Sequence, residues 1–208
     1  HALGVIRMLA ENDLDLPLDA LLQTASSSFA AVDGFKAAES TLADFIYERL
    51  AGNLREQGYT PQEVDAVVSQ RPQRLGDIRK RLAAVRAFAA LPESAALAAA
   101  NKRVGNILKK VGNAVEAVVD AGLLKEDAEI ALHDALVDVV PRADAAFATG
   151  DHGESLQVLA ALRAPVDAFF DGVMVNADDP ALRANRLGLL ARLHGAMNRV
   201  ADISKLSA

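Results

Sequence analysis

Apolar residues recur along nearly the whole of this chain at intervals of three and four positions, and no segment alternates apolar with polar in strand fashion. That spacing fits the 3.6-residue turn of an α-helix and excludes strands with one face on a core. The closing stretch, DDPALRANRLGLLARLHGAMNRV, shows it most clearly. At about 100° per residue, Leu189, Leu193 and Val200 fall within about 20° of Leu182, and Leu190 and Met197 lie at about 60–80°. Asp179 is a suitable N-cap, with Pro180 at the first helical position. One residue interrupts the stripe. Arg186 lies about 40° from its centre, a permanently charged guanidinium among leucines. Buried without a partner it would cost on the order of several kcal/mol. The preceding segment, PVDAFFDGVM, carries Asp167 and Asp171 one turn apart, and an antiparallel hairpin would bring both to Arg186. The expectation is a structural ion pair of Arg186 with these aspartates, fixing the register of the last two helices. Arg183, about 100° around at the edge of the stripe, suits either a structural or a binding role.

The same period predicts helices over residues 14–29, 40–57, 76–90, 92–111, 125–140, 143–148, 151–163 and 165–175, besides the one from 180. Thr60-Pro61-Gln62-Glu63 is a capping box with proline at the first helical position, opening a short helix through Val68. The fold class expected is all-α, a helical bundle, with a seam near Leu91–Pro92 dividing residues 1–90 from 91–208. With 51% hydrophobic and 4% aromatic residues, alanine and leucine dominating, 208 residues suffice for a packed helical core. No run approaches the roughly 18 uncharged apolar residues of a membrane span. The absence of cysteine excludes disulfides, thiolate zinc sites and cysteine nucleophiles, and suits a cytoplasmic protein. Because the chain opens at His1, without Met and inside the apolar pattern ALGVIRML, it reads as part of something longer.

The net charge of −6 conceals an asymmetry. Residues 71–110 hold ten Lys or Arg against Asp77 and Glu93, a net +8 that leaves −14 for the rest. Such concentration is the electrostatic footprint of a polyanion partner. Within it, AANKRVGNILKKV is amphipathic. With Lys102 at zero, Asn106 lies near 40°, Arg103 near 100°, Lys109 near −20° and Lys110 near 80°, opposite Val104, Ile107, Leu108 and Val111. Cations on one face can bind several phosphates, while the Asn106 amide can read a base edge or ribose. From the pattern alone, the same face is equally well a solvated surface. Arg79 and Arg86, one heptad apart on the preceding helix, form a weaker stripe.

Catalytic constellations are thin. His133-Asp134 spells the dipeptide of metal-dependent phosphohydrolases, but the other histidines, His1, His152 and His194, bring no ligand set with them. No phosphate-binding glycine loop or nucleophile motif occurs. Catalytic residues, metal ligands and resident cofactors are therefore not expected in this chain.

Long motifs carry a family resemblance. PVDAFFDGVMVNADDPALRANRLGLLARLHGAMNRVADIS, AAANKRVGNILKK, EQGYTPQEVDAV and ALGVIRML together resemble, in order, the C-terminal third of the β subunit of bacterial heterotetrameric glycyl-tRNA synthetase. The last hundred or so residues are similar to the anticodon-binding domain of the arginyl-tRNA-synthetase (DALR) type, the segment that opens its last helix here reading Asp179-Pro180-Ala181-Leu182-Arg183. Asn176, Gly188 and Gly195 depart from the pattern in ways that bear on stability. The resemblance implies that residues 1–90 are a helical tail of the subunit body and that residues 91–208 contact the anticodon region. It implies glycine tRNA as partner, bound through Lys102, Arg103, Asn106, Lys109, Lys110, Arg79 and Arg86, with no DNA or membrane partner. ATP and Mg would serve the α2β2 holoenzyme, with glycine activation in the α subunit. Tyr47 and Tyr59 lie outside the second part, so base stacking there falls to Phe or Arg. The alternative is a non-catalytic helical scaffold whose basic face contacts the α subunit.

Overall fold

Local chemistry sets the helix boundaries. Thr60 Oγ1 accepts from the Glu63 N–H at 3.2 Å, Glu63 Oε2 accepts from the Thr60 N–H at 2.8 Å, and Pro61 opens the helix. Asp179 likewise accepts from the N–H groups of Ala181 and Leu182 ahead of Pro180. The computed structural model describes residues 2–207. Among them are ten α-helices: α1 (Ala2–Glu11), α2 (Leu18–Ser28), α3 (Glu39–Glu56), α4 (Pro61–Val68), α5 (Ile78–Ala89), α6 (Ser94–Val111), α7 (Asp127–Ala148), α8 (His152–Gln157), α9 (Arg163–Gly172) and α10 (Pro180–Met197). Short 3₁₀ turns occupy Leu75–Asp77, Ala121–Leu123, Val158–Leu162 and Ile203–Leu206, and the described residues contain no strand. The fold is all-α, as the periodicity requires.

The helix expected over 14–29 begins only at Leu18, after Pro17, the one expected over 165–175 runs Arg163–Gly172, and two further differences change the number of elements. Residues 125–140 and 143–148 belong to one 22-residue helix, α7, with Pro141 inside it. Pro141 and Val137, four residues earlier, are both exposed, so the carbonyl deprived of its N–H partner lies on the solvated side. Conversely, residues 151–163 divide into α8, a 3₁₀ turn and the first residue of α9. The opening ALGVIRML becomes α1, which buries Ile6 and Leu9.

One apolar core runs through the molecule. α5 packs on α4 and α8, α7 on α8, α9 and α10, and the last 3₁₀ turn on α4 and α6. The expected seam at residues 91–92 falls in the turn between α5 and α6, which bends by 111°, and the core continues across it. Polar contacts tie the chain's end to its first half, two of them through backbone carbonyls. The Asp202 N–H donates to the Ala66 carbonyl at 2.8 Å, and Arg81 Nη1 donates to the Val200 carbonyl at 2.8 Å. Among the described residues no single helix is long and apolar enough to cross a membrane.

A strap of irregular backbone, residues 112–120, crosses α10. Gly112 begins it in the left-handed region (φ 78°), a conformation that favours glycine. Asn185 clamps its far end, accepting from the Asp120 N–H at 2.7 Å and donating to the Asp120 carbonyl at 3.0 Å. Between these points Gly188 allows the closest approach: a Cβ there would lie 2.1 Å from the Val118 carbonyl oxygen. The departure at Gly188 is thus a packing requirement. Gly195, by contrast, has open space where a Cβ would stand. Gly188→Ala is expected to destabilise the fold by about 1–3 kcal/mol through displacement of the strap. Gly195→Ala should stabilise it by up to about 1 kcal/mol through helix propensity. Urea melts of the two variants check the opposite signs.

Candidate nucleic-acid interface

The candidate face of α6 is defined by what anchors its other side. Leu97, Ala98, Ala100 and Val104 are buried. Asn101, fully buried, pairs amide to amide with Asn198 beyond α10, with Nδ2···Oδ1 distances of 3.0 and 3.2 Å in the two directions. This reciprocal pair fixes the helix's rotation, because a shift would strand the buried Asn101 amide. Lys102, Arg103, Asn106, Lys109 and Lys110 consequently face solvent together. Among the described residues, no carboxylate lies within 4.0 Å of any of these four cations. Lys109 and Lys110 also occupy the last turn of α6, where the helix dipole favours positive charge.

The other cations of residues 71–110 are engaged elsewhere. Arg86 makes a two-point contact with Glu63 (2.7 and 3.1 Å) and lies over the Tyr59 ring at 4.9 Å. The Arg86 hydrogen bonds hold the Glu63 carboxyl below its usual range, outweighing burial. Arg79 is exposed but lines a different groove, with Arg7 and Glu56. Neither joins the α6 face, because the 111° turn carries α5 away from it. Lys80 and Arg74 pair with Asp13, Arg71 pairs with Asp44, and Arg81 is buried.

Two open grooves flank α6. One, of about 700 Å³, has Lys102, Arg103, Asn106 and Lys110 on one side and the α9–α10 connection, residues 173–176, on the other. The second, of about 460 Å³, is lined by Asn106 and Lys109 together with His194, Asp202 and Lys205. Asn106 borders both. Gly105 makes room for His194, whose Nε2 lies 3.4 Å from where a Cβ would stand. Burial holds that imidazole below its ordinary pKa, with Lys109 adding to the effect, so it is neutral at neutral pH. Of the groove walls, Met174 and Lys205 were not singled out from sequence, and Asn176 and His194 were noted there only as a departure from the family pattern and as a histidine without a ligand set. They come from the α9–α10 connection, the end of α10 and the final turn, and no spacing rule links these to α6.

Arg186 is buried and paired, but its partner is Glu129 at the start of α7. Nε donates to Oε1 at 2.7 Å and Nη2 to Oε2 at 3.2 Å, while Nη1 donates to the Met174 carbonyl at 2.8 Å. Glu126 lies further off, at 3.8 Å. The expected partners Asp167 and Asp171 do not take part. α9 turns Val166 and Phe169 to the core, which leaves both aspartates exposed, Asp167 beside Arg163 at 3.6 Å. Burial opposes ionisation of Glu129, yet Arg186 and the N–H groups of Lys125 and Glu126 together hold its carboxyl below the usual range. Through the Met174 carbonyl, the buried pair also sets one wall of the larger groove. Arg183 is exposed and reaches the Ala177 carbonyl at 3.4 Å. His133 and Asp134 are neighbours on α7, 3.3 Å apart. Among the described residues no group of three His, Asp or Glu side chains is placed to hold a metal ion.

The helical domain that closes on the helix opened by Asp179-Pro180-Ala181-Leu182-Arg183, and presents a cationic helix beside two grooves, matches an anticodon-binding class. The chain belongs to the DALR anticodon binding domain family, whose model matches residues 97–204. Residues 1–69 match the model of the glycyl-tRNA synthetase beta subunit. Over 208 residues the chain is 86% identical to the glycine–tRNA ligase beta subunit of Dechloromonas aromatica (strain RCB), covering all of this chain and 29% of that relative. The corresponding proteins of Polaromonas naphthalenivorans (strain CJ2) and Delftia acidovorans (strain DSM 14801 / SPH-1) are 66% and 65% identical, with the same coverage. The chain therefore spans under a third of the length of these relatives.

Proposed function

We propose that this chain is the tRNA-binding portion of a glycyl-tRNA synthetase β subunit and that the α6 face holds the anticodon region of glycine tRNA. The observation that carries this reading is the set of four exposed cations, Lys102, Arg103, Lys109 and Lys110, without a carboxylate partner among the described residues and converging between two grooves inside the segment that matches the anticodon-binding family. The cations neutralise phosphates and release counterions, which provides most of the affinity. Polar groups in the grooves read bases that leave the stack. Recognition, and not chemistry, is the contribution of these residues. Glycine activation with ATP and Mg belongs to the α subunit of a cytoplasmic α2β2 assembly. Met8 on α1 and Phe29 and Val32 after α2 are exposed apolar side chains, a second surface through which a protein contact could be made.

Filter binding of glycine tRNA, a non-cognate tRNA and a glycine tRNA with an exchanged anticodon tests the reading. Glycine tRNA should bind at least about tenfold more tightly than the anticodon-exchanged form, since each misread base costs contacts in the grooves. Equal binding of all three would place anticodon reading elsewhere. Loss of RNA binding with retained capture of the α subunit would favour the scaffold reading.

A further inference from the structure

We propose that the larger groove is a pocket for one unstacked nucleobase of single-stranded RNA, with the Arg103 guanidinium as the surface on which that base stacks. The proposal rests on the RNA-binding reading of α6 and specifies one subsite within it.

Three observations lead there. The Arg103 guanidinium lies over the Phe170 ring, 4.1 Å from its centroid, so one of its faces is occupied and its plane is held. Phe170 is only half-buried, but it meets the fully buried Phe169 edge-on at 5.6 Å, which anchors the platform to the core. Arg103 also lines the groove, leaving its other face for a ligand. A planar guanidinium stacks on a base as an aromatic ring does. The chain's tyrosines cannot serve here: Tyr47 lies beneath Arg71 and Tyr59 beneath Arg86, both on other elements.

The groove's other walls suit the rest of a nucleotide. Lys102 and Lys110 flank the opening, where phosphates on either side of a splayed base would pass. Asn106 on α6 and Asn176 on the opposite wall each offer an amide donor and acceptor to a base edge. Met174, 73% exposed, supplies an apolar contact for the base's second face.

Arg103→Lys separates the two roles, because lysine keeps the charge and loses the plane. The parent protein, Arg103→Lys and a triple variant, Lys102→Glu/Lys109→Glu/Lys110→Glu, are titrated with glycine tRNA carrying 2-aminopurine at each anticodon position in turn. Arg103→Lys should bind about tenfold more weakly, the loss expected of one stacked base. Its salt dependence should be unchanged, and the fluorescence change at one position should disappear. If Arg103→Lys binds like the parent with the same fluorescence change, the stacking pocket is wrong while the α6 face stands, provided the triple variant is weakened. If the triple variant binds like the parent, the reading of α6 falls and this proposal falls with it. Arg103 is exposed, so its melting temperature should stay at the parent value. Phe170→Leu provides a second check, since it should weaken binding and abolish the same fluorescence change without altering the salt slope.

Discussion

Replacing Lys102, Arg103, Lys109 and Lys110 together by glutamate is expected to weaken glycine tRNA binding by about 100-fold or more at moderate salt. Four cations that each neutralise one phosphate of a single-stranded loop give a slope of log K against log salt of about −2.8. Between 50 and 200 mM salt the parent should then lose roughly 50-fold in affinity. The variant should lose that dependence together with the affinity, because it no longer displaces counterions. The fold should survive, since all four side chains are exposed, with a modest loss of stability from reversed charge at the C-terminal turn of α6 and the lost Arg103–Phe170 contact. Arg79→Glu is a single-site control: it makes one such charge reversal on α5 and should leave binding within about twofold. A quadruple variant that still shifted glycine tRNA normally would place the interface elsewhere.

That control depends on a distinction the sequence does not make. From composition, residues 71–110 form one basic block, and Arg79, Arg86 and the α6 cations look equivalent. The 111° turn between the helices and the engagement of Arg86 by Glu63 divide the block, and both are tertiary facts. The α6 face itself was legible because amphipathicity is a local property. Val104 is buried where the projection puts it, and the cations are exposed where it puts them. Helix boundaries were legible wherever a cap fixes them, at Thr60 and Asp179, and less so at Pro141, where exposure of the affected carbonyl rescues the helix.

Arg186 marks the limit of such reasoning. Its burial and its need for a partner follow from its place on an apolar stripe. Nearness in sequence favoured Asp167 and Asp171, yet the partner, Glu129, stands 57 positions away. One cue existed: Glu126 and Glu129 form a capping box at the start of α7, which turns the Glu129 side chain back over its own first turn. The side chain's Oε2 takes the backbone N–H groups of Lys125 and Glu126, and Oε1 takes Arg186. The capping role could be read locally. The second could not.

Arg186→Met should therefore destabilise the fold by about 3–5 kcal/mol, the cost of leaving a buried carboxylate without its counter-charge. Glu129 is fully buried, so water cannot replace the lost guanidinium, and two backbone donors only partly compensate. The Met174 carbonyl loses its donor at the same time. Glu129→Gln should cost less, because the amide oxygen can still accept from the backbone or from Arg186. Adding it to Arg186→Met should recover part of the loss by removing the stranded charge. The pH dependence follows from the direction of the Glu129 shift. Its folded-state value lies below the ordinary 4.5. The pair therefore contributes fully above that pH, and its contribution fades as acid protonates the carboxyl through its lowered value. In urea melts the gap between parent and Arg186→Met should be widest at neutral pH and narrow below about pH 4. An Arg186→Met protein as stable as the parent at pH 7 would show that the pair does not hold α7 and α10 together.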